Sequence, residues 1–165
     1  MEKKYKKIFL FKGINKFPQV DDFSDLVNET DDKKYLIIFD DCVNEGVNKQ
    51  TKKFFDDWFK IGRKKGFTIF YMSQSYYLTP KFIRLQSSYV LLQGSLKGRD
   101  LADILKDCGI SSDISKNQLL RMFEYATTPD ENNDMPMFKI SKLPTTKDQK
   151  FSRNFTDYLN PDKFK

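Results

Sequence analysis

The chain predicts an α/β fold, a mostly parallel sheet with flanking helices, from three observations. Three short apolar runs, residues 35–39, 67–72 and 88–92, each end at polar residues or glycine. Helix-periodic stretches separate them. The first two runs do not alternate apolar with polar residues, the pattern of strands covered on both faces. Strand, helix, strand in this order implies parallel crossovers.

The elements follow in order. Lys7-Ile8-Phe9-Leu10-Phe11 reads as a short strand, ended by Gly13 and Pro18. Asp22 to Val27 reads as a short helix in an acidic block. Residues 35–39 form the first buried strand. Asn48 to Lys65 is the next helix, with Phe54, Phe55, Trp58, Phe59 and Ile61 near helical spacing. Asn48 caps its start and Gly66 closes its end. Residues 67–72 form the second buried strand. Thr79-Pro80 opens a short helix through Gln86, because proline is preorganised for a first helical position. Residues 88–92 form the third strand. Two helices follow, over 99–107 and 115–127, the second with Leu119, Leu120, Phe123 and Ala126 on one face. Pro136 to Ile140 is the last strand. Residues 1–143 are thus expected as one domain and 144–165 as a polar, basic, loosely held tail.

Composition narrows the chemistry. The 165 residues contain no histidine, which removes Ser-His and Cys-His nucleophiles and imidazole metal sites. Any metal would sit on oxygen ligands, which favours Mg²⁺. Two cysteines without a CxxC pattern indicate neither a zinc site nor a disulfide framework, and point to a reducing, intracellular setting. No apolar run approaches the roughly 20 residues of a membrane span, and the basic N-terminus lacks a signal-peptide core. A net charge of +6 is compatible with nucleic acid without identifying it. The charge is blocky: basic over 1–16, acidic over 21–32, basic again over 49–65.

The chemistry concentrates at strand ends. Tyr35 to Phe39 runs into Asp40-Asp41, which delivers two carboxylates to the edge of a sheet. This is the Walker B arrangement, in which one carboxylate serves Mg²⁺ and the next polarises a water; the plainer reading is a carboxylate capping the next turn. Gln74 follows the second strand, where it is either a sensor or a loop hydrogen-bonder. Arg84 is either a phosphate contact or a solvated helix residue. Asp40, Asp41 and Gln74 all fall at carboxyl ends of strands, where α/β sheets bind ligands. No G-x-x-x-x-G-K-[ST] loop occurs anywhere to cradle nucleotide phosphates. Phe54, Phe55, Trp58 and Phe59 read as core residues rather than a base-stacking platform. Tyr76 and Tyr77 lie in a loop beside these strand ends, to contact a partner or to pack.

The stretch LIIFDDCVNEGVNKQTKKFFDDWFKIGRKKGFTIFYMSQSYYLTPKFIRLQSSYVLLQG resembles the genome-packaging ATPases of poxviruses, giant viruses and virophages, in the FtsK–HerA branch of P-loop NTPases. The matching pieces are the Walker B strand, Gly62-Arg63, Ser73-Gln74-Ser75-Tyr76, and Pro80 to Arg84. Leu119 to Thr127, Pro136 to Ile140 and Arg153-Asn154-Phe155 are similar to the family's later part. The resemblance covers roughly residues 20–158.

This resemblance implies a partial RecA-like core. Asp40 would coordinate Mg²⁺ through water, and Asp41, where many relatives have Glu, would orient the attacking water and help hold the metal. Gln74 would sense the γ-phosphate, and Arg63 or Arg84 would act as an arginine finger in a neighbouring subunit. The implied cofactors are Mg²⁺ and ATP, the latter not expected to bind this chain alone. The implied partners are double-stranded DNA, further copies in a homo-oligomeric ring, capsid components, and the missing P-loop portion on the same or another chain. No membrane is implied. The implied location is the host cytoplasm, a viral factory or the virion. That P-loop portion should precede Met1, and its absence should leave a strand edge that promotes self-association. Two other readings stand beside this one: a catalytically inactive assembly module of the same fold, and a Mg²⁺-dependent nuclease using Asp40, Asp41 and a third acid, with Glu45 nearest.

Overall fold

The computed structural model describes residues 17–19, 35–42, 49–94, 96–110, 114–144, 146 and 149–165. The strand expected over 7–11, the helix over 22–27, the Asn48 cap and Glu45 lie outside these residues, as does the side chain of Arg63. The chain is mixed α/β and divides into two compact units, residues 1–83 and 84–165.

In the first unit, strand β1 (Tyr35–Asp40) pairs in parallel with strand β2 (Phe67–Met72), with Tyr35 opposite Phe67 and Asp40 opposite Met72. Helix α1 (Lys49–Ile61) makes the crossover. Its apolar face buries Phe54, Phe55 and Trp58, while Lys60 pairs with Asp56 one turn back at 3.5 Å. A 3-10 turn over Gly62–Lys65 and Gly66, at φ 81°, then reverse the chain into β2. The core joins Ile37, Phe39, Phe54, Phe55, Trp58, Phe67 and Ile83. Its rings meet edge to face: Phe39 lies 5.1 Å from Phe55, and Trp58 lies 5.4 Å from Phe67. Each such pair adds about 0.5–1.5 kcal/mol beyond area burial.

The two strands are not covered on both faces as their unbroken apolar runs predict. Ile37, Phe39 and Phe67 are buried, but Leu36 and Ile38 are 55% and 51% exposed, and Phe70 and Met72 are also exposed. Successive strand residues face opposite sides of a sheet, and the aromatic cluster built on α1 takes the side of Ile37 and Phe39.

The second unit departs from the mostly parallel expectation. Strand β3 (Tyr89–Leu92) pairs antiparallel with β4 (Phe138–Ser141), which pairs antiparallel with β5 (Phe151–Arg153), and β5 with β6 (Asp157–Tyr158). Between β3 and β4 stand two helices, α3 (Gly98–Asp107) and α4 (Lys116–Thr127), rather than the single crossover helix of a parallel unit. An even number of return passes brings the chain back in the opposite sense. Helix α3 ends on Gly109 at φ 70°, with the Ile110 N–H donating to the Leu105 carbonyl at 3.0 Å. Helix α4 opens on a capping box: Gln118 N–H donates to Ser115 Oγ at 3.2 Å, and Ser115 N–H donates to Gln118 Oε1 at 3.0 Å. Its buried stripe is Leu119, Met122, Phe123 and Ala126, so Met122 takes the place expected of Leu120.

The segment expected as a loosely held tail contributes to this core. Phe151, Ser152, Arg153 and Leu159 are buried, and the Arg153 guanidinium donates to the Tyr125 carbonyl at 2.8 Å and pairs with Asp130. The reason is non-local: Phe151 stacks on Phe138 of the neighbouring strand, centroids 5.7 Å apart. Among the described residues, no helix is long and apolar enough to cross a membrane.

Candidate functional site

The parallel ladder of the first unit sets the site. Because β1 and β2 run in the same direction and in register, Asp40-Asp41 and Ser73-Gln74 leave the sheet at the same end. The Asp41 N–H donates to the Met72 carbonyl at 3.2 Å, carrying the ladder one step past β1. Asp41 itself sits at φ 45°, a left-handed conformation that Asp tolerates better than most residues. That turn lets the Gln74 side chain donate from Nε2 to Asp41 Oδ2 at 3.2 Å. Ser73 Oγ donates to the Ser75 carbonyl at 3.0 Å, which holds the loop carrying Gln74.

Asp40 and Asp41 are both solvent-exposed, and among the described residues neither carboxylate pairs with a cation. Cys42, next along, donates from Sγ to the Asp40 carbonyl at 3.3 Å. Tyr71 of β2 joins this end. Burial, then the Cys42 and Asp41 charges, push its phenol up to about 12. Its hydroxyl is buried, with no hydrogen-bond partner among the described residues. Reading the sequence missed Tyr71, since an aromatic inside an apolar run reads as core; its position two residues before Ser73 was the available signal.

The structure thus brings Asp41 and Gln74 into contact, with Asp40 adjacent in sequence. Arg84 belongs to the second unit, where its guanidinium pairs with Asp107 at the end of α3. There, Lys142 Nζ donates to the Arg84 and Leu85 carbonyls, closing the end of helix α2 (Lys81–Gln86). The backbone of Arg63 lies in the 3-10 turn after α1. Tyr76 and Tyr77 pack on each other edge to face at 5.2 Å, and Tyr77 is 51% exposed. Phe54, Phe55 and Trp58 are core, as their spacing predicts.

Chemically, the arrangement offers two carboxylates with no cation paired to them among the described residues, and an amide fixed on one of them. Such donors fit a hard divalent ion held partly through water. Among the described residues, no group of three or more His, Cys, Asp or Glu is gathered to hold a metal ion. Compared with known proteins, the chain matches no family model, no curated protein and no solved structure.

Proposed function

We propose that this chain is the Walker B half of an ATP-driven DNA-packaging motor, on a partial RecA-like core. The observation that carries the reading is the Gln74-to-Asp41 hydrogen bond across the carboxyl ends of two parallel strands. The resemblance to packaging ATPases implies a water-orienting carboxylate and an amide sensor at the ends of neighbouring strands, and this contact supports that reading. The two carboxylates suit Mg²⁺, whereas a nucleoside triphosphate lacks its phosphate-binding loop within these 165 residues. Magnesium–nucleotide, when bound, supplies neutralisation of the developing phosphoryl charge. Asp40 would help hold Mg²⁺ by its negative charge, Asp41 would accept a hydrogen bond from the attacking water, and Gln74 fixes the Asp41 carboxylate. Arg63, or Arg84 if it leaves its pair with Asp107, would serve a neighbouring copy's site in a ring that grips duplex DNA by its backbone.

The test begins with the DNA upstream of the Met1 codon. A P-loop segment encoded there, in frame or as an adjoining gene, is expressed together with this chain, and Mg²⁺-dependent ATP hydrolysis is measured. Asp41→Asn and Gln74→Ala are each expected to lower turnover on the order of a hundredfold. Hydrolysis indifferent to both substitutions would sink the catalytic assignment. Assembly that survives Asp40→Asn and Asp41→Asn in a complex without hydrolysis favours the inactive module.

A further inference from the structure

Strands β1 and β2 pair in parallel and in register, so their outward residues share one face. Leu36, Ile38 and Asp40 of β1 stand beside Thr68, Phe70 and Met72 of β2. All six are exposed. The four apolar ones keep from 38% (Phe70) to 55% (Leu36) of their surface open to solvent. The opposite face is sealed by the aromatic core on α1. Parallel sheets are almost always covered on both faces. Four large apolar side chains gathered on the uncovered one mark an interaction surface.

What covers this face must itself be apolar. The apolar stripes of α1, α3 and α4 are already buried within their own units. Among the described residues, the surface that matches it is the same face on another copy. Charge then fixes how two copies meet. Asp40 and Asp41 stand at the carboxyl end of the strands, and neither pairs with a cation among the described residues. At the opposite end the chain enters β2 from the basic turn Gly62–Lys65, in which Lys64 is exposed. Lys33 and Lys34 directly precede β1 in the sequence. Two copies stacked with their strands running the same way would crowd four aspartates at one end. Stacked with strands antiparallel, each acidic end lies over the other copy's basic end, and Ile38 and Phe70, midway along the face, meet their own counterparts. A two-fold axis generates this arrangement and closes it at two copies.

We propose that the Leu36–Ile38–Phe70–Met72 face is a self-association surface, on which a second copy of the chain packs sheet against sheet with its strands antiparallel. The contact uses the face of the sheet and not a strand edge. It needs no nucleotide, metal or P-loop segment, so it stands apart from the catalytic reading. Six residues a side is well below the roughly 20–30 of a standard interface, so the pair is expected to be weak, with a dissociation constant on the order of 100 μM.

Sedimentation equilibrium of the full chain, over a concentration series spanning that value, tests this. A reversible monomer–dimer equilibrium is expected. Ile38→Lys and Phe70→Lys should each weaken it by roughly tenfold or more, since each places a charge in the apolar contact. Ile38→Thr and Phe70→Thr, which keep β propensity while losing apolar area, should each weaken it by about threefold or more. Asp40→Lys makes both ends of the face basic and should weaken it by roughly fivefold. Trp58 emission shows whether each variant keeps the first unit's core, and the threonine variants decide wherever a lysine disturbs it. A chain that stays monomeric throughout would overturn the proposal and leave the face to its own chain or to another partner. Association that the Ile38 and Phe70 variants leave unchanged would overturn it in favour of a strand edge or another surface. Species larger than a dimer would contradict the two-fold pair, and pairing indifferent to Asp40→Lys would contradict its antiparallel sense.

Discussion

Asp41 has two demands on it that substitutions can separate: a left-handed backbone and an acceptor for Gln74. Asparagine meets both, since it tolerates this backbone and its amide oxygen accepts the same bond. Asp41→Asn should therefore leave stability within about 0.5 kcal/mol of wild type. Asp41→Ala meets neither and should cost about 1 kcal/mol. Urea midpoints of the two variants decide the matter, and equal values would mean the turn does not depend on this side chain. Tyr71 is the complementary case. Its phenol is raised from 10.0 to about 12, so the fold favours the neutral form. That contribution is complete below about pH 10 and is lost as pH rises from about 10 to about 12. Tyr71→Phe removes the titration and the unpartnered hydroxyl together. It should raise stability at neutral pH by about 1 kcal/mol. It should also flatten the fall in denaturation midpoint above pH 10; a fall as steep as wild type would assign that loss to other groups.

Glycines at the two helix junctions test the packing with opposite signs. A Cβ at Gly62 would meet Trp58 Cε3 at 3.1 Å and Ile69 Cδ1 at 3.2 Å, inside the turn that joins α1 to β2. Gly62→Ala should destabilise by about 1 kcal/mol or more through overpacking. A Cβ at Gly98 meets nothing closer than the Lys116 carbonyl at 3.8 Å, and Gly98 is the first residue of α3. Gly98→Ala should gain about 0.5 kcal/mol by helix propensity. Thermal melts read both, and shifts of the same sign would contradict this account of the junctions. These elements were legible because their signals are local: Trp58 falls on the helical stripe, and Gly66 and Gly109 mark helix ends. Asp40, Asp41 and Gln74 were legible for the same reason, each lying at the end of an apolar run. The antiparallel sheet was not. Tyr89 to Leu92 looks like β1 in isolation, and its direction is decided by Phe138 to Ser141, far along the chain. Phe151-Ser152-Arg153 is too short to show a period, and its burial comes from pairing with β4.

The division into two units gives the chain two cores that can be watched separately. The only tryptophan, Trp58, is fully buried in the aromatic cluster of the first unit. The second unit has its own core of Leu101, Ile104, Leu119, Met122, Phe138 and Phe151, and contributes α3 and α4 to the helical signal. Tryptophan emission therefore reports the first unit alone, while far-ultraviolet circular dichroism reports both. Leu119→Ala removes a side chain that is 1% exposed and should cost about 2–5 kcal/mol within its own core. If each unit is held by its own core, the dichroism transition in urea moves to lower denaturant while the Trp58 transition stays in place. Two probes that separate in this way violate two-state behaviour. Transitions that move together would mean that the chain unfolds as one cooperative block, and that a change in the second unit's core would also reach the Asp41–Gln74 site through stability. Separation would allow each unit to be altered with the other as its internal control.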